Sequence, residues 1–510
     1  MKYERVRNTR RNAAWGLLEK LLSLLLPFLT RTALINTLGL SYGGIGGLFS
    51  SVLQLLSLGE MGLSSVVIFS MYKPLAENDD SAVCALMNYY RKTYRCIGLG
   101  IFGAGLMVTP FLGLLVKGDY PPGLNIGAVY AAYLANSCVR YFVFPECRGL
   151  LSAVHHHDVL SKSAMGARAA CCALQLAALL LAQSYALYVI MLPLSTLADG
   201  LICAFCARRA YPEFRRCGDI PAEKKRDIRE KLKGLIVHRV CGSTRNAFDS
   251  IFISAFLGLA PVGIYGNYYY ILYSVRGMLD AVTQGMSAGV GNSVAVESVE
   301  KNWRDLMNLT FLYQWACGFC TVCLLVLYQP FMRLWMGEDR MLGNGAVAAF
   351  SIYFYVWTMG DIKSQYADAR GIWWKDRARA LTESLCNVLL NWLLVRSFGV
   401  VGVILATAVS ILLVGFPWSV RILFKEYFGL SRLPGYLGAQ ALFALVTALS
   451  CGLTWYASAL VPWEGVAGLA AKMLLCLTLP NLTYFLCCWK TPYFRGALPL
   501  IRSILKADGA

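Results

Sequence analysis

The sequence predicts an all-α polytopic membrane protein of about 14 transmembrane helices. Three observations predict it. Of 510 residues, 57% are hydrophobic and only 15% are charged, where a soluble domain carries about 25% charged residues. Apolar runs recur along the whole length, and many reach the roughly 20 residues that cross a bilayer as helix. The connections between them alternate between long basic ones and short, nearly uncharged ones.

Taken in order, the expected spans are 12–38, 43–71, 96–116, 125–147, 164–182, 186–206, 236–256, 264–291, 306–329, 343–362, 380–395, 400–420, 436–458 and 467–488. The first follows the basic segment MKYERVRNTRRN. Its apolar run is too long for a signal peptide, and no small-residue cleavage site follows, so it is expected to stay. Of the 47 lysines and arginines, 37 fall on one set of connections and 4 on the other, with Arg168 and Arg239 counted at the ends of their spans. The positive-inside rule then puts both termini in the cytoplasm. The net charge of +18 is mainly this topological bias. It draws the inner face toward anionic membrane lipids and calls for no nucleic acid. The connection 207–235 contains PAEKKRDIREKLKGL, with Ile228, Leu232 and Leu235 at helical spacing. It reads as a basic helix on the inner leaflet or as a solvated linker.

Two segments repeat. LGLSYGGIGG (38–47) matches LGLAPVGIYG (257–266) at six of ten positions, and TPFLGLLVKGD (109–119) resembles QPFMRLWMGED (329–339) at nearly the same offset. Six spans separate the copies, so they enter the membrane with the same polarity, as parallel repeats. The expected organisation is an N-lobe (1–206), the basic linker (207–235), a C-lobe (236–426), and two further spans with a cytoplasmic tail (427–510). Six-helix lobes of this kind suit alternating access.

Six cations remain inside spans: Lys20, Arg31, Arg140, Arg245, Arg276 and Lys472. Such a charge at mid-helix costs about 2.5–3.5 kcal/mol on insertion scales, so it should face a partner, a cavity or water. Arg276–Asp280 and Arg245–Asp249 are i,i+4 pairs. Lys20, Arg31, Arg140, Arg245 and Arg276 are candidates for a cavity that holds an anionic substrate, because the arginine fork suits phosphate. Asp249, Asp280, Asp199 and Glu60 are candidate cavity acids or ion-coupling sites, with H+ or Na+ as the ion, and Glu383 is a further isolated acid. The bland alternative is that each pair neutralises itself as a bolt between helices. Ser50, Gln54, Ser57, Met61 and Ser64 recur at helical spacing in span 2, and the repeat offset carries them onto Tyr269, Tyr273, Arg276, Asp280 and Thr283. Gln54, Ser57 and Tyr273 are therefore expected to face the same cavity. Lys472 reads as snorkelling.

The 18 cysteines lie mostly in apolar runs and read as packing residues. His155, His156 and His157 cannot all face one metal from a helix. No P-loop, nucleophile elbow or HExxH occurs, and no outer connection has room for a catalytic domain. A transporter without a cofactor is expected, and not an enzyme.

RRNAAWGLLEKLLSLLLPFLTRTALINTLG, followed by GGIGGLFSSVLQLLSLGEMGLSSVVIFSMYKPLAENDDSAVCALMNYYRKTYRCIG, resembles bacterial polysaccharide-biosynthesis flippases of the O-antigen type. These belong to the multidrug/oligosaccharidyl-lipid/polysaccharide exporter superfamily. The likeness continues more weakly in YGNYYYILYSV and QPFMRLWMGED. It implies fourteen helices in two MATE-like lobes with a cationic cavity, in the bacterial inner membrane. It also implies a cargo, an undecaprenyl-diphosphate-linked oligosaccharide moved from the inner to the outer leaflet, and partners among polysaccharide polymerase or assembly proteins. By analogy Arg31 in PFLTRT and Arg276 are cavity cations. Gly43-Gly44, where the family often has a larger residue, is expected to loosen the outer end of span 2. The rivals are a multidrug exporter of organic cations, a peptidoglycan lipid-precursor flippase and an oligosaccharide polymerase.

Overall fold

The computed structural model describes residues 5–57, 62–116, 121, 123–154, 156–214 and 216–507. Nearly all of them are helical, and no strand occurs among them. The chain divides into two units, Met1–Gly263 and Ile264–Ala510.

Unit 1 holds α1 (Arg5–Thr37), α2 (Leu40–Leu56), α3 (Leu63–Glu77), α4 (Asp80–Val108), the short α5 (Leu112–Leu115), α6 (Ile126–Phe142), α7 (Pro145–Ala153), α8 (His157–Leu180), α9 (Tyr185–Ala210), α10 (Ala222–Leu257) and the start of α11 (Leu259–Val296). Polar caps mark where helices begin. Asp79 accepts the Ala82 backbone N–H at 2.9 Å and the Ser81 hydroxyl at 2.8 Å. These bonds hold its carboxyl below the usual carboxylate range, so the cap persists at neutral pH and is lost only as pH falls through that depressed value. Asn125 caps α6 and Ser184 caps α9 in the same way. The core of the unit is aromatic and aliphatic. Phe49 meets Tyr130 and Tyr133 edge-on, at 5.2 and 5.9 Å, among fully buried Leu48, Val67, Met71 and Leu86.

Unit 2 continues with α12 (Val299–Met336), α13 (Asn344–Thr358), α14 (Asp361–Ala369), α15 (Trp373–Ser410), α16 (Phe416–Leu423), α17 (Leu433–Ala459), α18 (Gly465–Cys488) and α19 (Pro492–Ala507). In α15 the backbone leaves helical geometry at Gly399 (φ 55°, ψ −133°), which separates expected spans 11 and 12. The last two expected spans pack on α12: Trp315 stacks on Tyr484 at 5.7 Å, and Tyr484 shares a 2.6 Å hydrogen bond with Thr447. α19 was not expected from the sequence. It lays Phe494 against Phe311, Trp315 and Phe485.

Among the described residues, seven helical stretches are long and apolar enough to cross a membrane, and Leu40–Leu56 and Ala247–Leu257 are shorter apolar helices. Large apolar side chains are exposed throughout, including Leu114, Leu181 and Leu445. Fully hydrogen-bonded helices with apolar outer faces suit hydrocarbon and not water. This is a multi-pass α-helical membrane protein. All 18 cysteines are free, including those at CxxC spacing, Cys203–Cys206 in α9 and Cys317–Cys320 and Cys320–Cys323 in α12.

Two expectations change. Span 2 is not one helix: α2 ends at Leu56, and α3 starts after Gly62, whose φ of 108° only glycine adopts without strain. Ser57 and Ser64 therefore lie on different helices, and the polar stripe does not run as one face. Gly44 does not loosen its helix either. A Cβ there would lie 2.0 Å from the Leu259 carbonyl oxygen, and one on Gly263 would lie 2.5 Å from the Leu40 oxygen. Leu40 and Leu259, like Gly44 and Gly263, are repeat counterparts, so each copy's glycine receives the other's backbone.

This close approach is testable. Gly44→Val should lower the melting temperature in detergent, because overpacking costs about 1–3 kcal/mol. Gly43→Ala, where only Ile35 Cγ1 comes within 4 Å, should leave it unchanged.

Candidate functional site

In unit 2 the charges converge on Arg276. Its helix α11 carries it into the unit, where it is 8% exposed. One guanidinium nitrogen donates to Asp280 Oδ1 at 2.9 Å, one turn along the same helix. Both terminal nitrogens also reach Asp361, the Nη2–Oδ1 bond being 2.9 Å and the Nη1–Oδ2 bond closing the fork. The break at Met359–Gly360 after α13 places Asp361 in the first turn of α14, where the helix dipole favours a carboxylate. The Tyr313 hydroxyl donates to Asp361 as well, and the guanidinium lies 5.0 Å from the Trp357 ring centre. Arg276 Nε is buried with no hydrogen-bond partner among the described residues.

One cation between two carboxylates is not a cationic site. It answers the insertion cost from within the unit, as a bolt does. Its two acids differ, however. Asp361 is mostly enclosed, while the Asp280 side chain is 39% exposed. Asp361, Tyr313 and Trp357 were missed from sequence. Asp361 sits at the expected end of span 10 and has no charged residue at i±3 or i±4, so no local pattern announced it.

In unit 1 a cavity of about 530 Å³ gathers Arg140, Arg148, Arg168 and Asp199 with the hydroxyls of Ser64, Ser195 and Thr196. Each element delivers its residue for a local reason. Arg140 occupies the last turn of α6, the favoured end for a cation. The chain then breaks at Phe144 (φ 48°), and Pro145 opens α7 as a first-turn proline can, which sets Arg148 on the next helix. Gly200 lets α9 approach that break, since a Cβ would meet Val143 Cγ1 at 2.7 Å. Asp199 is engaged: it pairs with Arg148 and accepts from Ser163 Oγ at 2.7 Å. Arg168 donates to Glu19 Oε1 at 2.7 Å. Arg140 is exposed to the cavity, and no described residue forms an ion pair or hydrogen bond with it. Two of the expected site residues, Arg140 and Asp199, thus share one cavity; Arg148 and Arg168 are additions from the tertiary structure.

The other candidates lie elsewhere. Arg31 donates to the Gly263 carbonyl oxygen at 3.2 Å, within unit 1. Lys20, Gln54 and Tyr273 are exposed, and Asp249 is buried. The Ser57 hydroxyl bonds back to the Leu53 carbonyl at 2.8 Å. Glu383 is not isolated; it pairs with Arg379 one turn before it. Glu60 and the Arg245 side chain lie outside the described residues. No cluster of His, Cys, Asp or Glu suited to a metal occurs among the described residues.

Comparison with known proteins bears on this arrangement. A family model described as "Polysaccharide biosynthesis protein" matches residues 9–285, more than half of the chain. No curated protein sequence matches. Among solved structures, the fold is similar to the lipid II flippase MurJ in its inward closed conformation, with a TM-score of 0.67 and 12% identity over 93% of this chain and 98% of that one. It is also similar to an inward-facing multidrug resistance MATE family transporter of the MOP superfamily, with a TM-score of 0.63 and 14% identity over 79% and 96% of the two chains. A MOP superfamily transporter from Pyrococcus furiosus, described as having a binding pocket of reverse polarity, gives a TM-score of 0.56 and 13% identity over 82% and 96%.

The two acids on Arg276 should differ in cost when removed. Asp361→Ala leaves the buried guanidinium with Asp280 as its one described acid and should destabilise the protein by up to about 3–5 kcal/mol, the cost of breaking a buried pair. Asp280→Ala, at a half-exposed position, should cost clearly less. Thermal unfolding in detergent compares them.

Proposed function

We propose that this chain, which belongs to the polysaccharide biosynthesis protein family, flips an undecaprenyl-diphosphate-linked oligosaccharide from the inner to the outer leaflet of the bacterial plasma membrane. The observation that carries the reading is Arg140, a cation with which no described residue forms an ion pair, on a polar cavity that also holds Arg148 and Arg168. A planar fork of donors on the cavity wall matches the oxygens of a diphosphate. The hydroxyls beside it offer hydrogen bonds to a first sugar. The volume of about 530 Å³ lies within the roughly 300–1,000 Å³ of sites that enclose a small ligand. It suits the diphosphate and its proximal sugar, while the polyprenyl tail stays in lipid.

Asp280 adds a second element to this reading. Being half exposed, it is the acid that can leave Arg276 when protonated or when an anion competes for the guanidinium. Coupling to an ion gradient would enter there, with Asp361 keeping Arg276 in place.

Two readings stand beside this one. A peptidoglycan lipid-precursor flippase shares the same need for cations and stands as the sibling reading. An exporter of organic cations fits less well, because the three arginines outnumber the single acid on the cavity wall.

The test is a reconstituted flipping assay with fluorescent cargos. Polyprenyl-diphosphate oligosaccharide should cross, and Arg140→Ala should slow it about tenfold or more, as loss of a charge-assisted hydrogen bond worth about 1.5–3 kcal/mol would. Arg140→Lys should recover part of the rate. Transport of organic cations with no lipid-linked sugar would overturn the proposal, and transport of the peptide-bearing precursor alone would move it to the sibling cargo.

A further inference from the structure

A second group of cations lies beside the cavity but apart from it. α7 turns Arg148, Gly149 and Ser152 toward the cavity. Its Glu146 has no exposed side-chain surface and meets Arg216 Nε at 2.8 Å instead. Arg216 comes from the segment after α9, and that segment is pinned. Asn88 Nδ2 on α4 donates to the Gly218 carbonyl oxygen at 2.7 Å, and the Cys84 thiol lies 4.0 Å from the Glu213 carbonyl oxygen.

The Phe144 ring, held by the strained residue between α6 and α7, gathers two guanidiniums. Arg208 Cζ is 4.5 Å from its centre and Arg216 Cζ is 4.7 Å. Arg91 on α4 is within electrostatic range of Arg216, Arg208, Glu146 and of Arg95, one turn along its own helix. Among the described residues, no carboxylate forms an ion pair with Arg91, Arg95 or Arg208.

Arg208 and Arg216 thus lie on the Phe144 ring beside a carboxylate that is sealed from solvent, and Arg91, with Arg95 one turn along its helix, is within electrostatic range of that group. Like charges held this close by packing raise each other's energy, and an anion joining them removes the penalty. The donors are planar forks, suited to the oxygens of a phosphate ester. The aromatic ring among them gives the acyl side of a lipid an apolar neighbour. Arg91 and Arg95 lie within α4 just before the expected span 96–116, and Arg208 and Arg216 lie at and after the end of α9, on the side that the charge bias makes cytoplasmic, so the inner-leaflet surface is at hand.

We propose that Arg91, Arg208 and Arg216 about Glu146 and Phe144, with Arg95 one turn from Arg91, form a site for the phosphate head group of an anionic phospholipid. The site is separate from the transport cavity, and its occupancy would fasten α4, α7 and the segment after α9 to one another next to that cavity's wall.

Native mass spectrometry of the full-length protein tests it with phosphatidylglycerol, phosphatidylcholine and inorganic phosphate as probes. Phosphatidylglycerol should be retained in preference to phosphatidylcholine. The double variant Arg91→Gln/Arg208→Gln leaves the Arg216–Glu146 pair intact and should weaken retention about a hundredfold or more, as loss of two charge-assisted contacts implies. Arg421→Gln, on a different basic connection, should change nothing. Equal retention by the double variant overturns the proposal. Displacement of the lipid by millimolar inorganic phosphate overturns the lipid assignment in favour of a soluble phosphate ester, and resistance to displacement supports it. Should the double variant unfold, the exposed single variant Arg95→Gln carries the same comparison. None of these readouts uses transport, so the outcome is independent of the cargo.

Discussion

A charge inside an apolar helix has to be answered, and that constraint organises both halves of this protein. Arg276 is answered by two acids from two helices. To bring the second one in, the chain stops α13 at Thr358 and starts α14 at Asp361. The helix break is thus part of the electrostatics and not a loop that interrupts it. Unit 1 follows the same rule with other residues: Arg148 has Asp199, Arg168 has Glu19, and Glu146 has Arg216. Against that background Arg140 stands out, because its helix ends where a cation is favoured and its neighbours leave it to the cavity.

Glycine sets the second constraint. Gly44 and Gly263 occupy equivalent places in the two copies of the repeat, and each accommodates the backbone at the other copy's leucine. Two matching segments that pack against each other place the same demand on both. The small residue is needed twice, at matched positions. Gly200 plays a comparable part at the break between α6 and α7, where it lets α9 close the cavity wall.

The proposed cargo makes sense of the division between surfaces. Apolar residues such as Leu181 and Leu445 face outward, where a polyprenyl tail is at home. Guanidiniums and hydroxyls face the cavity, where a diphosphate and sugar need them. A transporter of this kind has no bond to break, so it needs no nucleophile or acid–base pair; it needs sites whose hold on an anion changes with conformation or protonation. A half-exposed acid beside a buried arginine is a group of that type.

Composition and the alternation of basic and uncharged connections were enough to call the class, because hydrocarbon admits only fully bonded helices and the charge bias follows the sides of the membrane. The repeat was legible for a similar reason: identity at a constant offset needs no structure. So was the i,i+4 partnership of Arg276 and Asp280, since helical spacing alone puts them on one face. What only the tertiary structure decided were the partners that come from far along the chain. Asp361 and Trp357 meet Arg276 across 85 and 81 positions, Tyr313 joins Asp361 across 48, and Glu19 meets Arg168 across 149. The break at Gly62, which splits the polar stripe, also had no strong local signal, because a glycine inside an apolar run reads equally well as helix. Periodicity reports which face a residue occupies. It carries no information on which other helix that face will meet, and in a membrane protein that meeting determines whether a buried charge is a bolt or a binding site.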